Sequence, residues 1–297
     1  MKDTALVLEG GGMRGIYTAG VLEYFLENDI NFPYVAGVSA GACHAFSYIS
    51  KQRGRNRKIM IDYIDDKRYL SFRNYFKEKS LFGMNFIFDE IPNNLVKFDY
   101  ETFENDNRDF YIGVTDIVTG ESIYYNKKEL NDPNLIVRAS SSLPLVSPIV
   151  EYENKKLLDG AIADPIPIEK ALRDGYEKFV VVLTRNLGYK KEKDKSIRLA
   201  KRFYKKYPNL IKLMETRHEV YNKQLELIDE LEKQGKAIVI RPSEKLQVDR
   251  FTKDKNKLEG LYKLGYLDGK KLNKLLLKWI FWIIMDIITP KRWDYYE

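Results

Sequence analysis

One cysteine, Cys43, and two histidines, His44 and His218, are all that 297 residues offer of the side chains that build disulfides and soft-metal sites. A lone thiol excludes a disulfide framework within the chain and a cysteine-cluster metal site. Two histidines exclude a His-rich zinc site, so no metal is expected. Long apolar runs are also missing. The longest, residues 275–288, is interrupted by Lys278 and Asp286 and falls short of the roughly 20 residues a spanning helix needs. The N-terminal run, residues 5–8, is too short for a signal peptide and feeds straight into glycines. The expectation is a cytoplasmic protein that meets a membrane, if at all, peripherally at its inner face. There is no internal repeat and no Gly/Ser linker.

What is present is a full core and an uneven charge. Hydrophobic residues make up 44% of the chain, which excludes low-complexity disorder. Residues 1–184 hold 22 basic and 27 acidic side chains, whereas residues 185–297 hold 28 basic and 16 acidic ones. A basic half beside an acidic half points to an anionic partner. A membrane surface fits better than nucleic acid, because no nucleic-acid-binding motif accompanies the charge.

Residues 5–8 read as a short buried strand. A helix pattern follows the glycines, with Val21, Leu22, Phe25 and Leu26 on one face. Residues 34–38 read as a second strand, and Ser39 opens a second helix through Ala42, Cys43, Ala45, Phe46 and Ile49. Strand–helix–strand–helix with tight turns is how a parallel sheet starts. Further strands are expected at residues 110–114, 156–158, 179–183 and 237–240, and residues 122–125 form a hairpin partner through Thr119-Gly120. The predicted fold class is α/β, a mostly parallel sheet flanked by helices. Residues 1–184 form the main part, and residues 185–297 a basic helical extension packed on it or continuing it. The apolar stretch Leu81, Phe82, Met84, Phe86, Ile87 and Phe88 reads as core packing or as the wall of an acyl-chain site.

Three motifs carry chemistry. Gly37-Val-Ser39-Ala-Gly41 fits Gly-x-Ser-x-Gly between a predicted strand and helix, the context of a nucleophile elbow. The helix start aims its free N–H groups at the serine; the plainer reading is a helix-capping serine with packing glycines at Gly37 and Gly41. Gly10-Gly-Gly-Met-Arg-Gly15 can converge backbone N–H groups on an anion. It fits an oxyanion hole beside Ser39, drawn from Gly10, Gly11, Gly12, Met13, Arg14 and Gly15. A dinucleotide site needs an acidic residue ending the second strand, and Val38-Ser39 stands there instead. Asp159-Gly160 is a common turn dipeptide, yet a serine nucleophile needs a base. The order Ser39, Asp159, His218 allows a triad. However, His218 falls in a helical stripe with Met214, Tyr221, Leu225 and Ile228, which makes it a packing residue. His44 lies five residues past Ser39, about 140° round the same helix, and is no base for it.

These blocks resemble the patatin-like phospholipase family. The loop from Gly10 to Gly15 resembles its oxyanion-hole loop, Gly37 to Gly41 its nucleophile elbow, and Asp159-Gly160 the turn that supplies the aspartate of a Ser–Asp dyad. Ala139-Ser-Ser-Ser-Leu-Pro144 is similar to the family's serine–proline segment, and Arg217-His218-x-x-Tyr221-Asn222 to a bacterial branch. The chain has Asp159-Gly160-Ala161 where many members have Asp-Gly-Gly, a change in local turn geometry. The resemblance implies the patatin-like three-layer fold and a serine lipid acyl hydrolase of phospholipase A, lysophospholipase or esterase type, without metal or cofactor. In it Ser39 attacks, Asp159 takes the proton directly, and the N–H groups of Gly11, Gly12 and Met13 hold the oxyanion. Arg14 steadies that loop or meets a phosphate. An acyltransferase or thioesterase would use the same dyad. A non-catalytic nucleotide-binding or scaffold module is the alternative of another class. Membrane contact is expected from Lys190, Lys191, Lys193, Lys195, Arg198, Lys201, Arg202, Lys205 and Lys206 on a helical stretch. A second contact is expected from a Trp-rich helix, residues 275–284, followed by Lys291, Arg292 and Trp293.

Overall fold

A computed structural model describes residues 3–245 and 247–288, with side chains described to residue 272. Eight strands form one sheet in the order β5-β6-β3-β2-β1-β7-β8, with β4 paired to β3. β3 (Asp109–Asp116), β2 (Tyr34–Val38), β1 (Thr4–Leu8), β7 (Lys178–Val182) and β8 (Ala237–Ile240) run parallel to one another. β4 (Ser122–Asn126), β5 (Val150–Tyr152) and β6 (Lys155–Asp159) add antiparallel pairs. The parallel strands are apolar runs because helices cover both their faces.

Alternation assigns the layers. Leu6 and Leu8 of β1 join the larger core with helix α1 (Ile16–Glu27), helix α2 (Ala40–Ile49) and the C-terminal helix Lys255–Ile288. Ala5 and Val7 point into the other core, which is closed by Ile168, Ala171, Tyr221, Ile228 and Leu231. Tyr221, Ile228 and Leu231 belong to the helix Pro208–Lys233, whose buried stripe also includes Leu210, Met214 and Gln224. β8 comes from beyond Arg185 and pairs with β7, so the second half of the chain completes the sheet edge.

α1 is buried on every side from Ile16 to Leu26 because the C-terminal helix lies against it. The backbones touch. A Cβ on Gly20 would come 2.0 Å from the Tyr262 carbonyl oxygen, and one on Gly265 2.0 Å from that of Tyr17. Tyr17 Oη donates to Asp268 at 3.1 Å, and Ser243 Oγ holds the same carboxylate at 2.8 Å.

The basic stretch expected to be helical is only partly so. Residues 189–195 carry no helix, and a short helix, Ile197–Phe203, follows. The reason is local. The Lys191 N–H donates to Asn222 Oδ1 at 2.8 Å, and its carbonyl accepts from Asn222 Nδ2 at 3.1 Å, which pins that backbone to a neighbouring helix. The side chains of the Trp-rich segment and residues 289–297 lie outside the described residues. Among the described residues, no helix is long and apolar enough to cross a membrane.

Candidate active site

The register of β3 places the two central residues. β2 pairs with β3 up to Val38 opposite Gly113. β6 pairs with β3 from Asp159 opposite Val114. β4 occupies the other edge of β3 over residues 111–115, so β2 and β6 must share one edge and meet end to end. Ser39 follows the last residue of β2, and Asp159 is the last residue of β6. The Ser39 hydroxyl donates to Asp159 Oδ2 at 2.7 Å.

Ser39 sits in a left-handed backbone conformation, φ 53° and ψ −127°, which L-residues rarely adopt and which typifies a strand-to-helix nucleophile elbow. Two contacts hold it. A Cβ on Gly41 would come 2.6 Å from the Leu8 carbonyl oxygen, so α2 can start this close to β1 only with glycine there. The Ser39 N–H donates to Ser140 Oγ at 2.8 Å, and Ser140 Oγ donates to the Gly113 carbonyl at 2.6 Å. Gly37 backs the same turn, where a Cβ would approach the Ala42 nitrogen at 2.9 Å.

Asp159 is fully buried. Its second oxygen accepts from the Ala161 N–H at 2.8 Å, and its own N–H donates to the Ser142 carbonyl at 2.8 Å. Gly160 is packed so tightly against β3 that a Cβ would overlap the Gly113 carbonyl. Burial pushes the Asp159 carboxyl above the usual carboxylate range, against the lowering pull of Ser39, the Ala161 N–H, Arg217 and Arg250.

The glycine loop passes beside this pair. Gly10 lies against the serine, its would-be Cβ 3.1 Å from Ser39 Cβ, and Gly15 lies against Ala40. Gly12 adopts φ +56° with Arg250 packed over it. The Met13 N–H, expected as a third oxyanion donor, is instead held by the Arg250 carbonyl at 3.3 Å. Among the described residues, the N–H groups of Gly11 and Gly12 meet no such backbone acceptor, and the Nε of buried Arg14 meets no partner. His218 lines neither cavity at Ser39, and its nearest carboxylate is that of Glu219. His44 lines the apolar cavity with both ring nitrogens unpartnered, and burial takes its pKa down to about 4. A neutral imidazole in that wall is therefore a packing group.

Two cavities meet at Ser39. One, of about 140 Å³, is mostly apolar, and Met13, Met60, Phe82, Met84, Ile87 and Phe88 contribute to its wall. The stretch from Leu81 to Phe88 thus serves both readings, since Phe86 is buried in the core while its neighbours face the cavity. The other is a polar cleft under the glycine loop. Among the described residues, no three His, Cys, Asp or Glu side chains gather as a metal-ligand set.

Residues 6–172 match the family described as patatin-like phospholipase. The chain belongs to that family. Residues 207–281 match a second family, described only as a domain of unknown function (DUF6363). The uncharacterized protein YjjU of Escherichia coli is 30% identical over 184 residues, 61% of this chain and 51% of that protein. Triacylglycerol lipase 4 of Saccharomyces cerevisiae is 29% identical over 205 residues, 56% of this chain and 22% of that protein. The chain therefore spans about half of one curated relative and a fifth of the other. Among solved structures, VipD from Legionella pneumophila superposes with a TM-score of 0.51 at 13% identity, covering 92% of this chain and 67% of that one. That likeness shows the fold, a patatin-like sheet with a helical C-terminal part.

Proposed function

We propose that the protein is a serine lipid acyl hydrolase working through Ser39 and Asp159. The observation that carries this reading is the 2.7 Å hydrogen bond from the Ser39 hydroxyl to a buried carboxylate, at the mouth of an apolar cavity. Asp159 takes the hydroxyl proton as Ser39 Oγ attacks the ester carbonyl. The tetrahedral oxyanion rests on the Gly11 and Gly12 N–H groups and on the N-terminal end of α2. When the intermediate collapses, the alcohol leaves with the proton from Asp159, and the acyl group stays on Ser39 with its chain in the apolar cavity. Water then gives a proton to Asp159 and attacks the acyl-enzyme, which releases the acid and restores the serine. No cofactor enters this scheme. An acceptor other than water would give acyl transfer from the same intermediate.

The substrate is reached at an anionic membrane surface. Phe72 and Phe76 are 79% and 81% exposed, and Phe203 is 65% exposed. They lie on the short helices Phe72–Glu78 and Ile197–Phe203, beside Arg73, Lys77, Arg198 and Arg202. Exposed aromatic rings among cations suit the water–lipid boundary.

The deciding experiment is fluorophosphonate labelling combined with p-nitrophenyl butyrate turnover. Ser39 should take the label. Ser39→Ala and Asp159→Asn should each fold and lose at least about a thousandfold in turnover. Full turnover by clean Ser39→Ala protein would refute the assignment.

A further inference from the structure

The cleft under the glycine loop shares Ser39, Gly12 and Leu143 with the apolar cavity but is otherwise built from different residues, and its chemistry is cationic. Five basic side chains line it, Arg14, Arg185, Lys191, Arg217 and Arg250, against two acidic ones, Glu9 and Asp159. Both acids are committed. Glu9 accepts from the Thr184 N–H at 2.5 Å and from Tyr221 Oη at 2.8 Å, and Asp159 holds Ser39 and Ala161. Among the described residues, none of the five cations has a carboxylate within ion-pairing distance, although elsewhere the surface pairs its charges readily, as in Arg57–Glu259 and Arg241–Glu232.

Neutral groups hold the cations in place instead. Arg217 Nε donates to the Ala161 carbonyl, next to the Asp159 turn. Arg185 lies over the Tyr189 ring at 4.4 Å, and Lys191 over the Tyr221 ring at 5.5 Å. Arg250 packs its Cγ on Gly12 while its carbonyl fixes the Met13 N–H. Arg14 is 7% exposed, and its Nε has no partner. Burial, and then the four surrounding arginines, bring the Lys191 amine down to about 7. Glu9, Asp159, Asp194 and Asp249 act on these cations only from beyond ion-pairing distance, and like charges held together without a paired counter-ion destabilise the folded chain. Guanidinium groups converging on one point are the arrangement that recognises phosphate.

We propose that Arg14, Arg185, Lys191, Arg217 and Arg250 form the binding site for the phosphate group of the lipid substrate. The inference rests on the hydrolase reading and narrows it to phosphate-bearing glycerolipids. In such a lipid the phosphate is one glycerol unit from the scissile ester. A carbonyl poised at Ser39 with its chain in the apolar cavity therefore carries its headgroup into the adjoining cleft. Four of the five cations come from beyond residue 184, and Arg217 and Arg250 lie in the region matched to the family of unknown function. That region's task here is to complete the headgroup site.

The test compares two lipids that differ only by the phosphate, 1-palmitoylglycerol 3-phosphate and 1-palmitoylglycerol, in the same neutral-detergent micelles with the full chain. The wild type should favour the phosphate-bearing lipid at least tenfold in kcat/KM. The double variant Arg185→Gln/Lys191→Gln should bring the ratio of the two rates to within twofold of one, with the loss in KM. Arg185→Lys/Lys191→Arg should restore the preference. Glycerol 3-phosphate should compete with the phosphate-bearing lipid more tightly than inorganic phosphate does, which separates a headgroup site from one for the free anion. An equal rate on both lipids, or stronger competition by inorganic phosphate, overturns the headgroup site. So does failure to cleave either lipid by protein whose Ser39 takes the fluorophosphonate label. All three outcomes leave the hydrolase reading standing. Absence of the label overturns that reading, and the headgroup site falls with it.

Discussion

Ser140 shows how much a single hydroxyl can organise. It accepts the Ser39 N–H and donates to the Gly113 carbonyl, linking the strained elbow to β3. Removing it strands a buried N–H, which costs about 1–3 kcal/mol. Ser140→Ala should therefore lower the melting temperature and slow ester turnover together, whereas a loss of stability alone would show the elbow holds without it. As the proposed base, Asp159 must be ionised to accept a proton, and burial raises its pKa. Turnover should accordingly fall away with acid at a pH above the ordinary carboxylate range, read from kcat/KM against pH on a neutral ester. His218 contacts neither cavity, and His218→Ala should retain turnover within about threefold. The Gly-x-Ser-x-Gly and Asp-Gly signals were legible because each constrains neighbouring residues. The cation cluster was not. Arg14, Arg185, Lys191, Arg217 and Arg250 are scattered along the sequence, and only folding brings them to one cleft.

At the level of elements, the parallel strands could be read from sequence because strands covered on both faces become unbroken apolar runs, as in Phe179-Val-Val-Val. β5 could not. Its sequence is Val-Glu-Tyr, and the tight turn after it uses Glu153 and Asn154, both left-handed at φ 48° and 60°, with no glycine to signal it. The crossing of α1 and the C-terminal helix was hidden for a related reason. Gly20 and Gly265 look like helix-weakening residues until two backbones are seen to touch through them. Gly265→Ala forces Cβ into the Tyr17 carbonyl, and urea unfolding should register a loss of about 1–3 kcal/mol. α1 begins directly after the glycine loop. The same variant should therefore also slow fluorophosphonate labelling, unless the loop is positioned independently of the crossing.

Over the whole molecule, the basic residues of the second half reach two places, the cleft under the glycine loop, with Arg185, Lys191, Arg217 and Arg250 partly buried, and the helix that carries the exposed Phe203 beside Arg198 and Arg202. Tyr75, within the helix Phe72–Glu78, and Tyr204, directly after the helix Ile197–Phe203, lie near enough to interact. Phe72→Ser/Phe76→Ser should reduce sedimentation with anionic vesicles several-fold at low salt while leaving neutral vesicles as they were; unchanged binding would move the contact elsewhere. The end-to-end meeting of β2 and β6 along β3 has a further consequence for how the gene can be edited. β3 acts as a ruler against which Ser39 and Asp159 are both measured, so the intervening 119 residues need not keep their length. A few residues inserted between Glu153 and Asn154 should leave an active enzyme. Deleting one residue within β6, with its hairpin register to β5 held, should put Gly160 in the place of Asp159, turn the carboxylate to the other face of the sheet and silence the enzyme.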